Sequence, residues 1–345
     1  TNLAVHAEKG PFTVTRGDGV FVEDDLGNRY LEGVSGLWCA SLGFSNTRLA
    51  KAGSDALYQM PYYHTFNGRS NPAAIALAEK LISIAPAPMS KIFFANSGSE
   101  ANDTAVKLVW YYHNAIGKPD KKKIIARRNA YHGVTVAAAS LSGLVNNHRD
   151  FDLPIRNILH TDCPHFFRYA EPGESEEDFA TRLADNLEKM IIREGPETVG
   201  AFIAEPVIGA GGVLPPPATY FEKVQKILAK YDVLFIVDEV VCGYGRTGQM
   251  FGSNTYGLKP DILTTAKGLS SGYAPISAVM VNEKVYAEVA ANSGNIGIFG
   301  HGFTYSGHPV SCAIALEALN IYEEDDVVGH VRDLLKSQLS VDVDN

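Results

Sequence analysis

A chain of 345 residues with a formal net charge of −9, 46% hydrophobic and 20% charged, has the composition of a globular protein long enough for about two domains. The acidic balance argues against a nucleic-acid partner, since phosphate binding needs a basic face, and no run approaches the ~18 consecutive apolar residues of a membrane helix. Cys39, Cys163, Cys242 and Cys312 lie far apart without a CxxC pair, which speaks against a metal site and a disulfide framework and for reduced, mostly buried thiols in a cytoplasmic protein. The sequence opens Thr1-Asn2-Leu3, with no initiator Met and no signal-peptide pattern, so the natural N-terminus is expected upstream.

Residues 19–24 and 28–31 are short apolar-bearing runs around Leu26-Gly27-Asn28 and read as a β-hairpin. From about Thr47, helices alternate with short apolar strands. Leu77, Leu81, Ile82 and Ile84 mark a helix that stops before Pro86. Ile92 to Ala95 is a buried strand, followed by Asn96-Ser97-Gly98-Ser99 and a helix from near Glu100 to roughly Tyr112. Residues 123–126 and 201–204 read as further strands, and 179–192 and 220–231 as helices; Pro215-Pro216-Pro217 makes a rigid turn before the last of these. Val233-Leu234-Phe235-Ile236-Val237 is a continuous β-branched and aromatic run, the mark of a parallel-sheet strand covered on both faces. Residues 276–281 add one more strand. A last helix carries Val331, Leu334 and Leu335 and runs into Ser340 to Asn345. The class is therefore α/β, a mostly parallel sheet flanked by helices. In such sheets ligands sit beyond the carboxyl ends of the strands. Residues 96–99, Glu205 and Asp238 each follow directly on an expected strand, so they should converge on one site.

Asp238 closes a strongly apolar strand and must be paired or reach solvent. Taken alone it reads as a helix cap or solvated loop residue; the chemical reading is an anion held beside a protonated ring nitrogen. Lys267 stands in Thr264-Thr265-Ala266-Lys267-Gly268. Most lysines are solvated surface charges, but small, weakly polar neighbours disfavour an ammonium, and a neutral amine condenses with an aldehyde. Ser97-Gly98-Ser99 opens a helix, where free N–H groups and the dipole attract an anion; plain Ser capping explains it equally well until Lys267 and Asp238 are added. Tyr131 in Tyr131-His132-Gly133 is placed to stack on a flat ring or simply to pack, and His132 by itself reads as structural.

Asn96-Ser97-Gly98-Ser99-Glu100-Ala101-Asn102, Tyr131-His132-Gly133, Ala204-Glu205-Pro206, Val237-Asp238-Glu239-Val240, Gly243-Tyr244-Gly245-Arg246-Thr247-Gly248 and Ala266-Lys267-Gly268 occur in this order. Together they closely resemble the class III aminotransferases, pyridoxal-phosphate enzymes of fold type I, over about residues 17–323. No single motif decides this; six in order are specific. The resemblance implies a seven-stranded-type sheet with a small α+β domain. Residues 1–46 would form part of the small domain, 47–300 the large cofactor-binding domain, and 301–345 an interface loop and the start of the small domain's C-terminal part.

It also implies roles. Lys267 would hold the cofactor's aldehyde and shuttle a proton, and Asp238 would pair with the ring nitrogen. Val240 and Tyr131 would cover the two ring faces. Ser97, Gly98 and Ser99 would hold the phosphate, with His132 among the cofactor-binding residues. Glu205 would support the ring's oxygen side. Thr304, in His301-Gly302-Phe303-Thr304-Tyr305, would reach the phosphate of a neighbouring subunit, which implies a homodimer with its sites at the interface. Ser35-Gly36-Leu37-Trp38 is similar to the branch that acts on amines and ω-amino acids with pyruvate. Trp38 and Phe66 would line the substrate pocket, while Tyr62 and Tyr63 serve the pocket or the core. The expected partners are an amine donor and a keto-acid acceptor, with no metal, nucleic acid or membrane. The same motifs serve an aminomutase or decarboxylase of this fold, or a non-catalytic cofactor-binding protein. Family members continue well past Asn345 and carry there an arginine for the substrate carboxylate, for which no candidate can be named; cofactor binding is expected to survive its loss better than turnover.

Overall fold

The structure, a computed structural model, describes residues 2–339; the expected tail 340–345 lies outside the described residues. Among the described residues, ten strands form two sheets. Val14–Asp18 (β1), Phe21–Asp24 (β2) and Arg29–Leu31 (β3) make a small antiparallel sheet that contains the expected hairpin. Its turn is fixed by Asp24, whose carboxylate accepts from Leu26 N, Asn28 N, Asn28 Nδ2 and Tyr30 Oη, and these hydrogen bonds hold its pKa down at about 2.

The remaining strands, Lys91–Ala95 (β4), Lys123–Arg127 (β5), Ile158–Thr161 (β6), Val199–Ala204 (β7), Leu234–Asp238 (β8), Ile262–Thr265 (β9) and Ser277–Val281 (β10), form one sheet of order β4-β10-β9-β8-β7-β5-β6. From β9 to β6 all neighbours are parallel, and only β10 runs against both of its neighbours. Every residue of β7, β8, β9 and β10 is buried, as strands covered on both faces must be.

Helices clothe both faces. Gly98–Ala115 packs across β4, β10 and β9, burying Ala101, Ala105, Val106 and Val109. Glu176–Glu194 and Tyr220–Lys230 pack on each other over the opposite face, where Phe179, Leu183, Phe221 and Val224 meet Phe202 and Phe235 of β7 and β8. Pro309–Glu324 packs on Thr47–Gln59 and Pro72–Ile84, and also on the turn at Lys267–Ser270. Val327–Leu339 is helical, as expected. Three of the four cysteines are buried and all are free.

Candidate active site

Asp238 ends β8, and its Cα partner on β9 is Thr264. Lys267 follows three residues later. Two parallel strands about 4.8 Å apart, plus a further three residues spanning at most about 10 Å, bring the lysine to the same carboxyl edge of the sheet. Lys267 has φ = +48°, the left-handed region that few residues other than Gly occupy, so its backbone is over-determined by its surroundings. Those surroundings are visible. Tyr322 Oη, itself bonded to Ser41 Oγ at 2.8 Å, donates to the Gly268 carbonyl at 2.9 Å. Thr265 Oγ1 donates to Tyr244 Oη at 3.0 Å, and a Cβ on residue 268 would meet Tyr244 at 3.2 Å. Among the described residues, the Lys267 amine makes no hydrogen bond.

The Asp238 carboxylate is buried. Its Oδ2 accepts from His132 Nδ1 and from Asn102 Nδ2, both at 2.8 Å, and its Oδ1 accepts from Val240 N at 3.0 Å. A carboxylate offers about four acceptor directions, so one remains, on Oδ1. His132 is thus more than a packing residue: its ring lies on Asp238. Its Nδ1 carries the proton, because an ionised carboxylate only accepts, and its buried Nε2 has no partner among the described residues.

Glu205 leaves β7 beside this pair. Its Oε1 accepts from Tyr131 N at 3.0 Å and its Oε2 from Gly209 N at 2.8 Å, while Arg127 Nη2 donates to its carbonyl at 2.5 Å. Burial, reinforced by the charge of Asp238, pushes the Glu205 carboxyl up. Tyr131 is half-buried over the same edge, its phenol also raised by burial and then by Asp238.

At the helix start, Ser97 Oγ accepts from Glu100 N at 3.2 Å, so Ser97 is an N-cap and the helix begins at Gly98, slightly before the expected Glu100. The N–H groups of Gly98 and Ser99 have no partner among the described residues. A Cβ on residue 98 would stand 3.1 Å from both Val240 methyls, which seats this turn against β8's end. Ser99 Oγ accepts from Val134 N at 3.0 Å. Gly133, at φ = +131°, admits no side chain because a Cβ would strike Ser99 Oγ.

Residues 97–99, Tyr131, His132, Glu205, Asp238, Val240 and Lys267 therefore surround one edge of the sheet. Trp38 stands near it, its carbonyl accepting from Arg246 Nη2 at 3.1 Å. Phe66 and Thr304 lie elsewhere. Phe66 lies against Gly302 in a cavity of about 580 Å³ that Lys267 and Asp238 do not line, and Thr304 is exposed, its carbonyl accepting from Tyr62 Oη at 2.8 Å. Tyr62 and Tyr63 are surface residues, which removes the core-packing alternative.

Asn102, Thr264 and Glu239 stand inside the sequence motifs, yet nothing in the sequence alone assigns them a role. Glu239, fully buried, accepts from Gly252 N at 3.0 Å, Ser253 N at 2.5 Å and Ser253 Oγ at 2.6 Å, and burial pushes its carboxyl up to about 7. The available signal was a second carboxylate inside an apolar run, directly after Asp238.

The family description "Aminotransferase class-III" matches residues 3–341. The chain belongs to the class III aminotransferases. Among curated proteins it is 59% identical over 325 residues to "Probable gamma-aminobutyrate transaminase 2, mitochondrial" of Oryza sativa subsp. indica, covering 94% of this chain and 65% of that protein. It is 58% identical over 318 residues to "Vanillin aminotransferase" of Capsicum chinense, covering 92% and 69%. The solved omega transaminase from Pseudomonas jessenii in complex with PMP superposes with a TM-score of 0.95 at 57% identity, over 96% of this chain and 73% of that one. The chain thus spans a little under two thirds of the first of these relatives, and its fold is the fold type I architecture of the class III aminotransferases.

The cofactor of class III aminotransferases is pyridoxal 5′-phosphate, and the geometry fits it. One acceptor direction on Asp238 suits a ring N–H, unpartnered N–H groups at 98 and 99 suit a phosphate, and the unbonded Lys267 amine suits an aldehyde. Among the described residues, no group of His, Cys, Asp and Glu side chains could hold a metal ion, and no helix is long and apolar enough to cross a membrane.

Proposed function

We propose that this chain carries the cofactor-binding part of an aminotransferase that moves an amino group from an amine or ω-amino acid to pyruvate or another keto acid by a ping-pong route. The observation that supports this most is the buried Asp238 carboxylate, with three donors in place and one acceptor direction left, whose sheet partner Thr264 stands three residues before Lys267. When bound, pyridoxal phosphate supplies an electron-poor ring that accepts the electron pair released at the substrate's amine-bearing carbon. Asp238 keeps an anion fixed beside the ring nitrogen. Gly98 and Ser99 hold the phosphate through their N–H groups, with Ser97 capping that turn. Val240 and Tyr131 close the two faces, and Glu205, anchored by Tyr131 N and Gly209 N, supports the oxygen side. The Lys267 amine would hold the aldehyde and, once released from it, would move the proton from the substrate's amine-bearing carbon to the former aldehyde carbon.

A second copy of the chain completes the site. Thr304 is exposed beside Tyr305, Tyr62 and Phe66, a face suited to present Thr304 to a neighbour's phosphate and Phe66 to its substrate. With Trp38, such aromatic side chains favour an amine without an α-carboxylate.

The test is a half-reaction. The chain, reconstituted with pyridoxal phosphate, should lose its visible absorbance on addition of β-alanine or an aromatic amine and regain it with pyruvate. Lys267→Ala should slow this about 10²- to 10⁴-fold while leaving the cofactor bound. Conversion at an unchanged rate in that variant ends the assignment.

A further inference from the structure

One side chain joins parts of the site that the sequence scatters. Asn102 lies in Gly98–Ala115 and is fully buried. Its Nδ2 donates to Asp238 Oδ2 at 2.8 Å and to the His132 carbonyl at 2.7 Å, and its Oδ1 accepts from Thr264 Oγ1 at 2.8 Å. The amide orientation is dictated by its neighbours, since an ionised carboxylate and a carbonyl can only accept, and the hydroxyl is left to donate.

Four segments therefore meet at one amide. The helix carries Gly98 four residues earlier, on the same face as Asn102. His132 belongs to the turn after β5. Asp238 ends β8, and Thr264 sits on β9, three residues before Lys267. The sheet alone registers β8 against β9; it does not fix the rotamer of the Asp238 side chain. Asn102 fixes it, because only one carboxylate orientation meets its Nδ2 and His132 Nδ1 together and still turns Oδ1 toward Val240 N.

We infer that Asn102 is a positioning residue, setting the Asp238 carboxylate relative to Lys267 and to the Gly98–Ser99 turn, and acting on the cofactor's ring nitrogen only through Asp238. This rests on the pyridoxal-phosphate reading above. Removing the donor should weaken the grip on the ring nitrogen and leave the grip on phosphate and aldehyde alone. Reversing its polarity with Asn102→Asp should be worse than removing it, since a second carboxylate would then face Asp238 Oδ2 and the His132 carbonyl, both acceptors.

The test is equilibrium binding to the full chain of two probes, pyridoxal 5′-phosphate and its 1-deaza analogue, in which C–H replaces the ring nitrogen. In Asn102→Leu, Kd for pyridoxal phosphate should rise about 10- to 100-fold, the loss expected for a hydrogen bond to a buried charged group. Kd for the deaza analogue should stay within about threefold of wild type, because neither protein can engage a ring nitrogen it lacks. Equal weakening of both probes would mean a merely structural role and overturn the inference, as would no change in either. Wild-type chain that fails to bind pyridoxal phosphate would instead overturn the cofactor reading itself, a result read without any variant. Should Asn102→Leu not fold, Thr264→Val removes only the hydroxyl that steadies the amide. It should show the same selectivity with a smaller loss, about threefold to tenfold, and its absence counts against the inference.

Discussion

The carboxyl end of β8 and the surface around Tyr62 answer their exposed chemistry in opposite ways. At the first, most side-chain polar atoms have a partner within the chain: Asp238, His132, Asn102 and Thr264 form one buried hydrogen-bond network, and the Glu205 and Glu239 carboxylates, just past the ends of β7 and β8, are each met by donors beside it. At the second, Tyr58, Tyr62, Phe66 and Tyr305 stand open to solvent, and Tyr62 reaches the Thr304 carbonyl and the rings of Tyr305 and His308. The hydrogen bonds of the buried edge all come from within one chain. The aromatic face has the composition of a surface that another molecule finishes.

Perturbing the packing beneath the buried edge should have the largest effect. Phe202, 0% exposed on β7, sits among Phe221, Phe235 and Leu183. Phe202→Ala should lower stability by about 3–5 kcal/mol, measured by chemical denaturation. A loss below about 1 kcal/mol would mean that this layer is not packed as described.

Next comes Glu239. Its folded carboxyl is raised from 4.5 to about 7 by burial, so the folded chain holds that proton more tightly than the unfolded one. Its contribution is fully present below about pH 4.5 and is lost as pH rises to about 7, up to a ceiling of about 3 kcal/mol. Glu239→Gln should therefore flatten the fall in Tm across that window relative to wild type. Parallel curves for the two proteins would refute the shift.

On the aromatic face, the expected effects fall on association and leave stability nearly untouched. Tyr305→Glu should weaken the proposed self-association at least about tenfold in sedimentation experiments, since a desolvated charge is costly at an apolar contact. Unaltered association would place the contact elsewhere. Smallest of all is Tyr58→Ala, at 90% exposure, which should move monomer stability by no more than about 0.5 kcal/mol.

Legibility in the sequence follows the same division. β8 was plain because five apolar residues in a row admit one explanation, and the hairpin at Gly27 because turn chemistry is local. β9 was missed. Its Thr264 and Thr265 look too polar for an interior strand, yet both are buried because Asn102 and Tyr244 satisfy their hydroxyls, partners that are distant along the chain. β6 was missed for a related reason, being only four residues with a histidine in the middle. The parallel expectation held for the sheet as a whole, but nothing local in Ser277–Val281 shows that β10 enters in the reverse direction. In the site, Asp238 and Lys267 stand out because each is a charge in unsuitable company. Asn102 does not, although an amide inside a long helix is a weak helix former and a usable signal. His132 read as structural because the distance to Asp238 exists only once β5 and β8 are in register.

The reversed strand β10 also carries a consequence for biosynthesis. β4, which leads straight into the Gly98 turn, is an edge of the sheet among the described residues, and there β10 is its one neighbour. The turn made early in synthesis is therefore held in place by a strand made late, after most of the sheet has left the ribosome. That pairing has high contact order and pays its loop-closure entropy before any contact rewards it. A nascent chain stopped before Ser277 would contain Asp238 and Lys267 and still lack the edge that sets the helix start against them, so cofactor capture is a late event in the life of each molecule.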